Sequence, residues 1–599
     1  MGEKESFCLF CSLGCKFAIK VEKGVALSPE FCPNYPTNEG RLCPKGLYAI
    51  ELLNHPRRLT TPLIKEGERF KEVSWDESLR LLASKISEVK GKYGSESIGI
   101  IIDPNHTNEE ILAIQKLAKI IGTHNFACSF PPNDWGLLRN PGIFPPEKIE
   151  DLEDVNCCLI LGDPFAKHPV IAKRVIASKY KARGNSIIVI APERTNTAWF
   201  ANTHLQNRPG SEALLLVGLL KSILSFSEEG QEIRRLEKIP DEAIFKATGI
   251  PRRQIAGAAR TFNDAEKGMI ILCPSFKGIK DISSVACICK LLVDNAKGNK
   301  GLMPLFTYGN AVGAFNISLG DSWRSSPGLM EEASSGKVKL LIDFGEDLLS
   351  SYPSAEVQGA LNQLEFLALS STFAAETERF AHLVLPCASW LEKGGRVNFF
   401  DSRGEVLEPV IPPPGAAKSD LEIISELSKQ LGTPLDQRKI REEAQALSKE
   451  NLEQKGIVDI NKLVEKINNM IKEATTEEKE YPYLLVSGDK PTHFADGSIT
   501  RNFSWSKEQI PSPFIELNLE DAGEIGVKEG DEVLVSSRSG EVALPVQATT
   551  RLLKGMVSAP SYSPEVRSIF EWKIDLDSGG LETGPERVSL RAKRSNPRK

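Results

Sequence analysis

The sequence predicts an α/β protein: a small cysteine-rich N-terminal module, two α/β domains with parallel sheets interleaved along the chain, and a C-terminal β-barrel cap. Three observations predict it. Five cysteines crowd the first 43 residues; apolar β-branched runs alternate with helix-like stretches from about residue 97 to residue 435; and the last 120 residues change to short strands between glycine turns. At ~100–200 residues per domain, a chain of 599 residues that is 41% hydrophobic is long enough for several buried cores. Neither a disordered nor a collagen-like composition fits. With 74 basic and 80 acidic residues the net charge is −6, which argues against a basic nucleic-acid surface.

Residues 1–60 are rich in Cys, Gly and Pro without a sustained helical period, as in a module folded around something other than apolar side chains. Strand-like runs at 97–103, 155–162 and 186–191 are each followed by a helical pattern, at 110–121, 169–180 and 211–225. Continuous apolar runs of this kind belong to parallel strands buried on both faces. Further buried strands are expected at 268–273, 338–344 and 365–370, too many for one domain. The expected division is therefore 61–125 with 335–475 as one α/β domain and 126–334 as the other. Residues 436–480 are rich in Lys and Glu and read as solvated helices or a linker, with 461–473 the clearest amphipathic piece. Strands at 483–487, 531–538 and 541–547 indicate a barrel over 476–590, and the basic stretch 591–599 reads as a disordered tail.

The longest apolar stretch, 214–224, is interrupted by Lys221 and falls short of the ~20 residues needed to span a bilayer. The first residues show neither an apolar export core nor a twin arginine, so a cytoplasmic location is expected.

The most specific signal is a cysteine quartet. Cys8, Cys11, Cys15 and Cys43 form C-x2-C-x3-C-x27-C, followed by Pro44-Lys45-Gly46. Three close thiolates and one distant one suit a [4Fe-4S] cubane, in which each iron takes one cysteine. Structural zinc usually shows two short pairs of ligands, and the second pair is missing, although Cys32 could supply a further ligand. No two glycines are separated by a single residue, so a G-x-G-x-x-G fingerprint cannot occur, and no P-loop is present. Direct use of NAD through such a site is disfavoured.

The stretch from Cys8 to Gly46 resembles the cluster module of the molybdenum or tungsten enzymes that carry bis-molybdopterin guanine dinucleotide, the dimethyl sulfoxide reductase and formate dehydrogenase family. The likeness runs through nearly the whole chain. Gly162-Asp163-Pro164 with His168-Pro169 resembles that family's G-x-N-P…H-P segment, and Pro192-Glu193-Arg194-Thr195 its D-P-R-x-T loop. Gly210-Ser211-Glu212, after Arg208-Pro209, is similar to its R-P-G-[TS]-[DE] turn. Phe373 to Thr377 resembles F-x-x-E-T, and His493 with Thr500 and Arg501 resembles the C-terminal cap. Strands 155–162 and 186–191 end in loops leading to helix N-termini, where an anionic nucleotide is held. The resemblance implies that the second α/β domain binds pterin guanine dinucleotide. It carries cofactor-binding roles to Gly162, Asp163, Pro164, His168, Pro192, Glu193, Arg194, Thr195, Gly210, Ser211 and Glu212. Gly345, Glu346, Thr372, Glu376, Thr377, His493, Thr500 and Arg501 receive the same role. Lys45 would lie between the cluster and the nearer pterin and assist electron transfer.

Two departures bear on the reaction. The family's formate enzymes bind the metal through a cysteine or selenocysteine followed by histidine; here the segment is shorter and reads Ala127-Cys128-Ser129-Phe130. Either Cys128 is the metal ligand and Ser129 replaces the histidine, or Cys128 is a bystander and Ser129 or Asp134 supplies an oxygen, or the protein gives no ligand. The family's P-L-R-G becomes Pro304-Leu305-Phe306-Thr307, and Phe306 cannot hold a carboxylate by paired charge-assisted hydrogen bonds. Two readings follow: a molybdenum or tungsten oxidoreductase with an altered substrate site, or an electron-transfer subunit similar to the large iron-sulfur subunit of NADH–quinone oxidoreductase. Both imply partner iron-sulfur or flavin subunits. A scaffold that has lost its cofactors is the third.

Overall fold

The computed structural model describes residues 2–140, 143–144, 146–224, 233–274, 278–318, 323–448, 459–474, 478–488, 490–510, 512–575 and 580–593. The chain opens with a three-stranded antiparallel sheet: β1 (Gly2–Phe7), β2 (Lys16–Glu22) and β3 (Val25–Phe31). Two larger sheets follow.

The first has eight strands: β4 (Leu63–Glu66), β5 (Arg69–Glu72), β6 (Ile98–Ile102), β7 (Phe126–Cys128), β13 (Trp323–Arg324), β14 (Leu340–Phe344), β15 (Phe366–Ser371) and β16 (Leu383–Pro386). Their order is β13-β7-β6-β14-β15-β16-β4-β5, parallel from β13 to β16. The second sheet has five parallel strands in the order β10-β9-β8-β11-β12, comprising β8 (Cys157–Gly162), β9 (Ser186–Ile190), β10 (Thr203–Leu205), β11 (Lys267–Cys273) and β12 (Asn299–Pro304).

Local chemistry accounts for these elements. Strands β6 and β14 are buried at every position, so apart from Asp343 in β14 they carry no polar residues and do not alternate. The helix Asn108–Ile121 starts at a reciprocal capping box between Thr107 and Glu110 and stops at Gly122, which adopts the left-handed conformation. A small hairpin, β17 (Gly395–Asn398) with β18 (Gly404–Leu407), packs near the cysteine module through Phe399, whose ring lies 5.9 Å from that of Phe7. The C-terminal region closes into a six-stranded barrel, β19 (Tyr483–Gly488), β23 (Met556–Pro560), β20 (Ile515–Asn518), β22 (Glu541–Thr549), β21 (Glu532–Ser536) and β24 (Glu586–Ala592), with its own apolar core.

Interleaving of the two α/β units is present, with three boundaries displaced. Residues 126–128 and 323–324 pair with the eight-stranded sheet, because Phe126 and Ala127 continue the ladder begun by β6. The helix Ile460–Ala474, expected with the first α/β unit, packs its buried Leu463, Ile467 and Met470 towards the helix Glu212–Leu224 of the second. Arg591 and Ala592, expected in a tail, complete β24 by pairing with β21; residues 594–599 and 449–458 lie outside the described residues. Among the described residues no helix is long and apolar enough to cross a membrane.

Candidate cluster and cofactor site

The loop between β1 and β2 is closed by a hydrogen bond from Cys8 N to Cys15 O at 2.9 Å, which folds Cys8, Cys11 and Cys15 around one point. Cys43 sits at the N-cap of the short helix Pro44–Leu47, where proline at the first helical position costs no hydrogen bond. All four cysteines line a single cavity, walled also by Phe10, Leu42, Gly46 and His168. A Cβ at Gly46 would lie 3.5 Å from Cys8 Sγ, so glycine keeps this side of the sulfur cage open.

Burial pushes the thiols of Cys8 and Cys15 well up and that of Cys11 up to about 11; Lys45 opposes the shift at Cys8 and Cys11. Such sulfurs become thiolates only when a strong cationic centre faces them. No three thiol, imidazole or carboxylate groups among the described residues gather tightly enough for one ion, and no cysteine is in a disulfide. Sulfurs spread around a shared cavity suit four separate irons and do not suit tetrahedral zinc. Cys32 lies after β3, half-exposed and outside this cavity.

Strand order defines two further sites. An open parallel sheet binds ligands where its strand order reverses, beyond the carboxyl ends of the strands. In the five-stranded sheet the reversal falls between β8 and β11. There Gly162 has φ +90°, and a Cβ on it would stand 2.0 Å from Cys273 O, so only glycine lets the two strand ends come together. Asp163 accepts from Thr197 N at 3.3 Å, and Thr195 caps the turn at Asn196–Trp199. Pro164 opens a short turn, and His168 behind it donates from Nε2 to Phe306 O at 2.9 Å. Burial holds this imidazole neutral, with Lys167 acting in the same direction.

Pro192 O accepts from Gln206 at 3.0 Å, and Arg194 N donates to Arg551 O at 3.0 Å, tying this loop to the barrel while the Arg194 side chain stays exposed. Glu193 faces the barrel beside Gly488 and Ser558. The turn at Gly210 leads through Ser211, which donates to Arg208 O at 2.6 Å, into Glu212. Glu212 accepts at Oε1 from Asn207 at 3.0 Å, while its buried Oε2 has no partner. Burial pushes this carboxyl up to about 7. A buried carboxyl with one oxygen open is complementary to the N–H edge of a guanine.

In the eight-stranded sheet the reversal falls between β6 and β14. Loops after β6, β14 and β15 border a chamber of about 790 Å³, reached by Asp103, His106, Gly345, Asp347 and Thr372. Its wall holds a charged network: Lys393 on Glu110 at 2.7 Å, His106 on Asp420 at 3.0 Å, and Ser370 donating to Asp420 at 2.6 Å. A second chamber, of about 850 Å³, takes Lys45, Ser129, Lys167, Tyr308, Glu346 and His493 from six separate segments. Lys45, whose Nζ donates to Lys167 O at 2.9 Å, thus stands between this chamber and the cysteine cavity.

Both chambers present buried polar atoms without partners: Ser389 Oγ and Trp390 Nε1 in one, His493 Nε2 and Tyr562 Oη in the other. Thr500 Oγ1 accepts from Phe494 N at 3.1 Å and lies 3.2 Å from His493 Nδ1, which holds the ring with Nε2 on the chamber side. Burial pushes His493 down to about 3, so its ring is neutral. Unpaired polar atoms on apolar walls fit a bound heterocycle with hydrogen-bonding edges.

Several expected residues act at one remove. Glu376 N and Thr377 Oγ1 donate to Asp347, at 3.1 and 2.7 Å, and neither residue lines a chamber; they fix the loop that does. Arg501 donates to Ser350 Oγ at 2.9 Å in the wall between the chambers. Cys128 is the last residue of β7, 1% exposed, and lines neither chamber. Burial pushes its thiol well up, with Asp103 and Glu346 adding to the effect. The next residue, Ser129, reaches the larger chamber, 2.8 Å from Ser326 Oγ. Cys128 thus lies behind the chamber wall that Ser129 reaches.

Asp134 is turned away to accept from Thr307 N at 2.7 Å. Phe306 is fully buried and stacked on Phe144 at 6.4 Å, which leaves Thr307 and Tyr308 at the chamber wall. Asp347, His106, Lys393, Asp420, Asp496 and Arg567 escaped the sequence reading, since each is a single polar residue on its own loop.

A cage of four cysteine sulfurs beside two chambers that present unpaired polar atoms defines an iron-sulfur oxidoreductase of the pterin-dinucleotide class. Comparison with known proteins agrees. The model of the molybdopterin oxidoreductases matches residues 58–430, that of their Fe4S4 domain residues 1–55, and that of the molybdopterin dinucleotide binding domain residues 483–582. The chain belongs to the molybdopterin oxidoreductase family.

The subunit alpha of F420-dependent formate dehydrogenase from Methanocaldococcus jannaschii is 28% identical over 94% of each chain. Formate dehydrogenase H of Escherichia coli is 25% identical over 92% of this chain and 90% of its own. The structure of acetylene hydratase from Pelobacter acetylenicus superimposes with a TM-score of 0.80 over 98% of this chain and all of the other, at 17% identity, and shows the shared fold. The cofactors of this family, a [4Fe-4S] cluster and bis-molybdopterin guanine dinucleotide with molybdenum or tungsten, fit the cage and the two chambers.

Proposed function

We propose that this chain is the large subunit of a cytoplasmic, multi-subunit oxidoreductase that moves electrons between its two-pterin metal centre and a partner iron-sulfur or flavin subunit, at a substrate site altered from that of the formate enzymes. The observation that carries this reading is Lys45, which borders the larger chamber while its neighbours Cys43 and Gly46 border the cysteine cavity. Its cation stands where charge must pass, close enough to lower the cost of thiolates at Cys8 and Cys11.

Cys8, Cys11, Cys15 and Cys43 would hold the cluster, and Glu212, Gly162 and His493 would hold one dinucleotide. Asp347, Lys393 and Thr372 would hold the other. The metal centre, when bound, supplies two-electron chemistry, and the cluster divides it into single electrons. An electron-transfer subunit without molybdenum or tungsten is the second reading, favoured by the buried Phe306 and by Ser129 at the chamber.

Plasma mass spectrometry of anaerobically purified protein decides between them. About four irons with one molybdenum or tungsten per chain is the expected result, iron alone supports the second reading, and zinc without iron overturns both. Activity with formate and viologen dyes, measured on the same sample, reports how far the substrate site has diverged.

A further inference from the structure

His168 lines the cysteine cavity, is fully buried, and has both ring nitrogens engaged. Nε2 stands 2.9 Å from Phe306 O, a carbonyl that can only accept, so this nitrogen carries the proton. Nδ1 is then the acceptor, and the Cys273 thiol, 3.4 Å away at the end of β11, is its donor. Burial, with Lys167 and Lys45 nearby, keeps the ring from taking a second proton.

The same carbonyl reaches the cysteine loop. Phe306 O also accepts from Ser12 N at 3.4 Å, and Phe306 N donates to Ser12 Oγ at 2.9 Å, so Ser12 is clamped onto the segment after β12. Ser12 lies between Cys11 and Cys15, and Phe400 N holds its carbonyl from the turn of the β17–β18 hairpin at 3.1 Å. Beside Ser12, the backbone N–H of Leu13 bonds the Cys11 sulfur; the N–H of Phe10 does the same for Cys8, and each bond eases ionisation of its thiol. Cys273, His168, Phe306 and Ser12 are each at most 1% exposed, so the chain of bonds is sealed from bulk water.

We propose that His168 is a positioning residue for the iron-sulfur cluster: held by Cys273, it fixes the Phe306 backbone that clamps Ser12, keeps the Leu13 N–H on the Cys11 sulfur, and so sets the cluster's reduction potential. The inference rests on the reading of the cysteine cavity as the cluster site. Hydrogen bonds to the sulfurs are one of the levers on the potential of such clusters. A reduced cluster carries one more negative charge than an oxidised one, so an N–H aimed at its sulfur favours the reduced form. Loosening the clamp therefore lowers the potential.

The test is an anaerobic dithionite titration of the purified holoprotein, followed by electron paramagnetic resonance of the reduced cluster, with iron counted on the same sample. His168→Leu removes both ring contacts at similar volume and should lower the reduction equilibrium constant by ~2- to 10-fold, the worth of one hydrogen bond. For a one-electron couple that is a downward shift of at most about 59 mV. His168→Gln keeps a donor that can face Phe306 O and should recover most of the shift. Cys273→Ala and Ser12→Ala each remove one link and should shift the potential in the same direction, whereas Cys273→Ser, which keeps a donor, should not. Cys289→Ala removes an equally buried thiol from the helix Ile282–Asn295 and should leave the potential unchanged.

Full iron with the wild-type potential in His168→Leu, Cys273→Ala and Ser12→Ala overturns this inference alone. So does an upward shift, or an equal downward shift in Cys289→Ala. If His168→Leu loses its iron, the two milder variants decide by the same criterion. Wild-type protein without iron would instead overturn the reading of the cavity as a cluster site.

Discussion

Substituting Gly162 tests whether the gap between β8 and β11 is a built ligand site. The residue has φ +90°, a conformation that costs an L side chain about 1–2 kcal/mol. Its Cβ would also sit 2.0 Å from Cys273 O, more than an ångström inside normal contact and against backbone that cannot rotate away. Overpacking of this kind adds about 1–3 kcal/mol, so Gly162→Ala should cost about 2–5 kcal/mol, met by pushing the two strand ends apart.

Gly184 is the matched control, exposed, with nothing within 4 Å of its Cβ position. Gly184→Ala should be neutral or slightly stabilising. Thermal unfolding of both variants, read by circular dichroism together with the guanine released on denaturation, makes the comparison. Gly162→Ala should unfold at lower temperature and release less than the wild-type amount of guanine. If its transition stays within about one degree of wild type, well inside the 2–4 °C per kcal/mol expected of large domains, and its guanine content is full, the close approach of the strand ends is not what shapes this site.

Three further outcomes follow. Arg58 and Glu392 form a bidentate pair at 2.7 and 2.6 Å, both almost wholly buried, so Arg58→Met should strand the carboxylate and destabilise by about 3–5 kcal/mol; a double variant with Glu392→Leu that recovers stability would confirm the stranded charge as the cause. Cys43→Ser should remove or degrade the cluster and bleach its visible absorption, whereas Cys32→Ser should keep full iron; equal iron loss in both would contradict the cavity assignment. The Glu212 carboxyl, pushed up to about 7 by burial, stays protonated in the folded chain while it ionises near pH 4.3 when unfolded. Stability from this group is therefore fully present below that pH and lost as pH rises to about 7, by up to a few kcal/mol. Stripped of its dinucleotide, Glu212→Gln should unfold at increasingly higher temperature than wild type between those limits, and a constant difference across them would refute the assignment.

What could be read in the sequence was what is local. The cysteine quartet is a spacing within 43 residues, and the buried parallel strands are short, largely apolar runs, so both survive translation into three dimensions. The edges of the α/β units were misplaced because a three-residue strand such as β7 carries no period to read, and the ladder it joins is set by β6. Departures at Ser129 and Phe306 were visible, but not that the Phe306 ring would stack on Phe144 or that Cys128 would turn away from the chamber. Glu376 and Thr377 were assigned to the cofactor and instead secure Asp347 through hydrogen bonds, a difference between touching a ligand and holding the residue that touches it. His106, Lys393 and Asp420 were not found, since 287 residues separate His106 from Lys393 and no spacing rule reaches that far.

The interleaved order of the chain has a physical purpose in this arrangement. Each of the two large sheets has one reversal of strand order among its parallel strands, between β8 and β11 and between β6 and β14, and each reversal opens one crevice. Had the domains followed each other in sequence, a short connection could have left the two crevices facing apart. Inserting the five-stranded sheet between β7 and β13 instead makes the chain leave the larger sheet at its carboxyl edge, after β7, and rejoin it at β13 beside the same strand. Ser129, which follows β7, Tyr308, which follows β12, and Glu346, which follows β14, consequently meet in one chamber. The barrel then closes that chamber with His493 and Tyr562, and the N-terminal module brings Lys45 to its remaining side. A centre that needs two nucleotide-bearing ligands held face to face, with an electron exit at one edge, is what this double crevice can support. A single doubly wound domain has one such crevice, which explains why a chain of 599 residues is spent on building two.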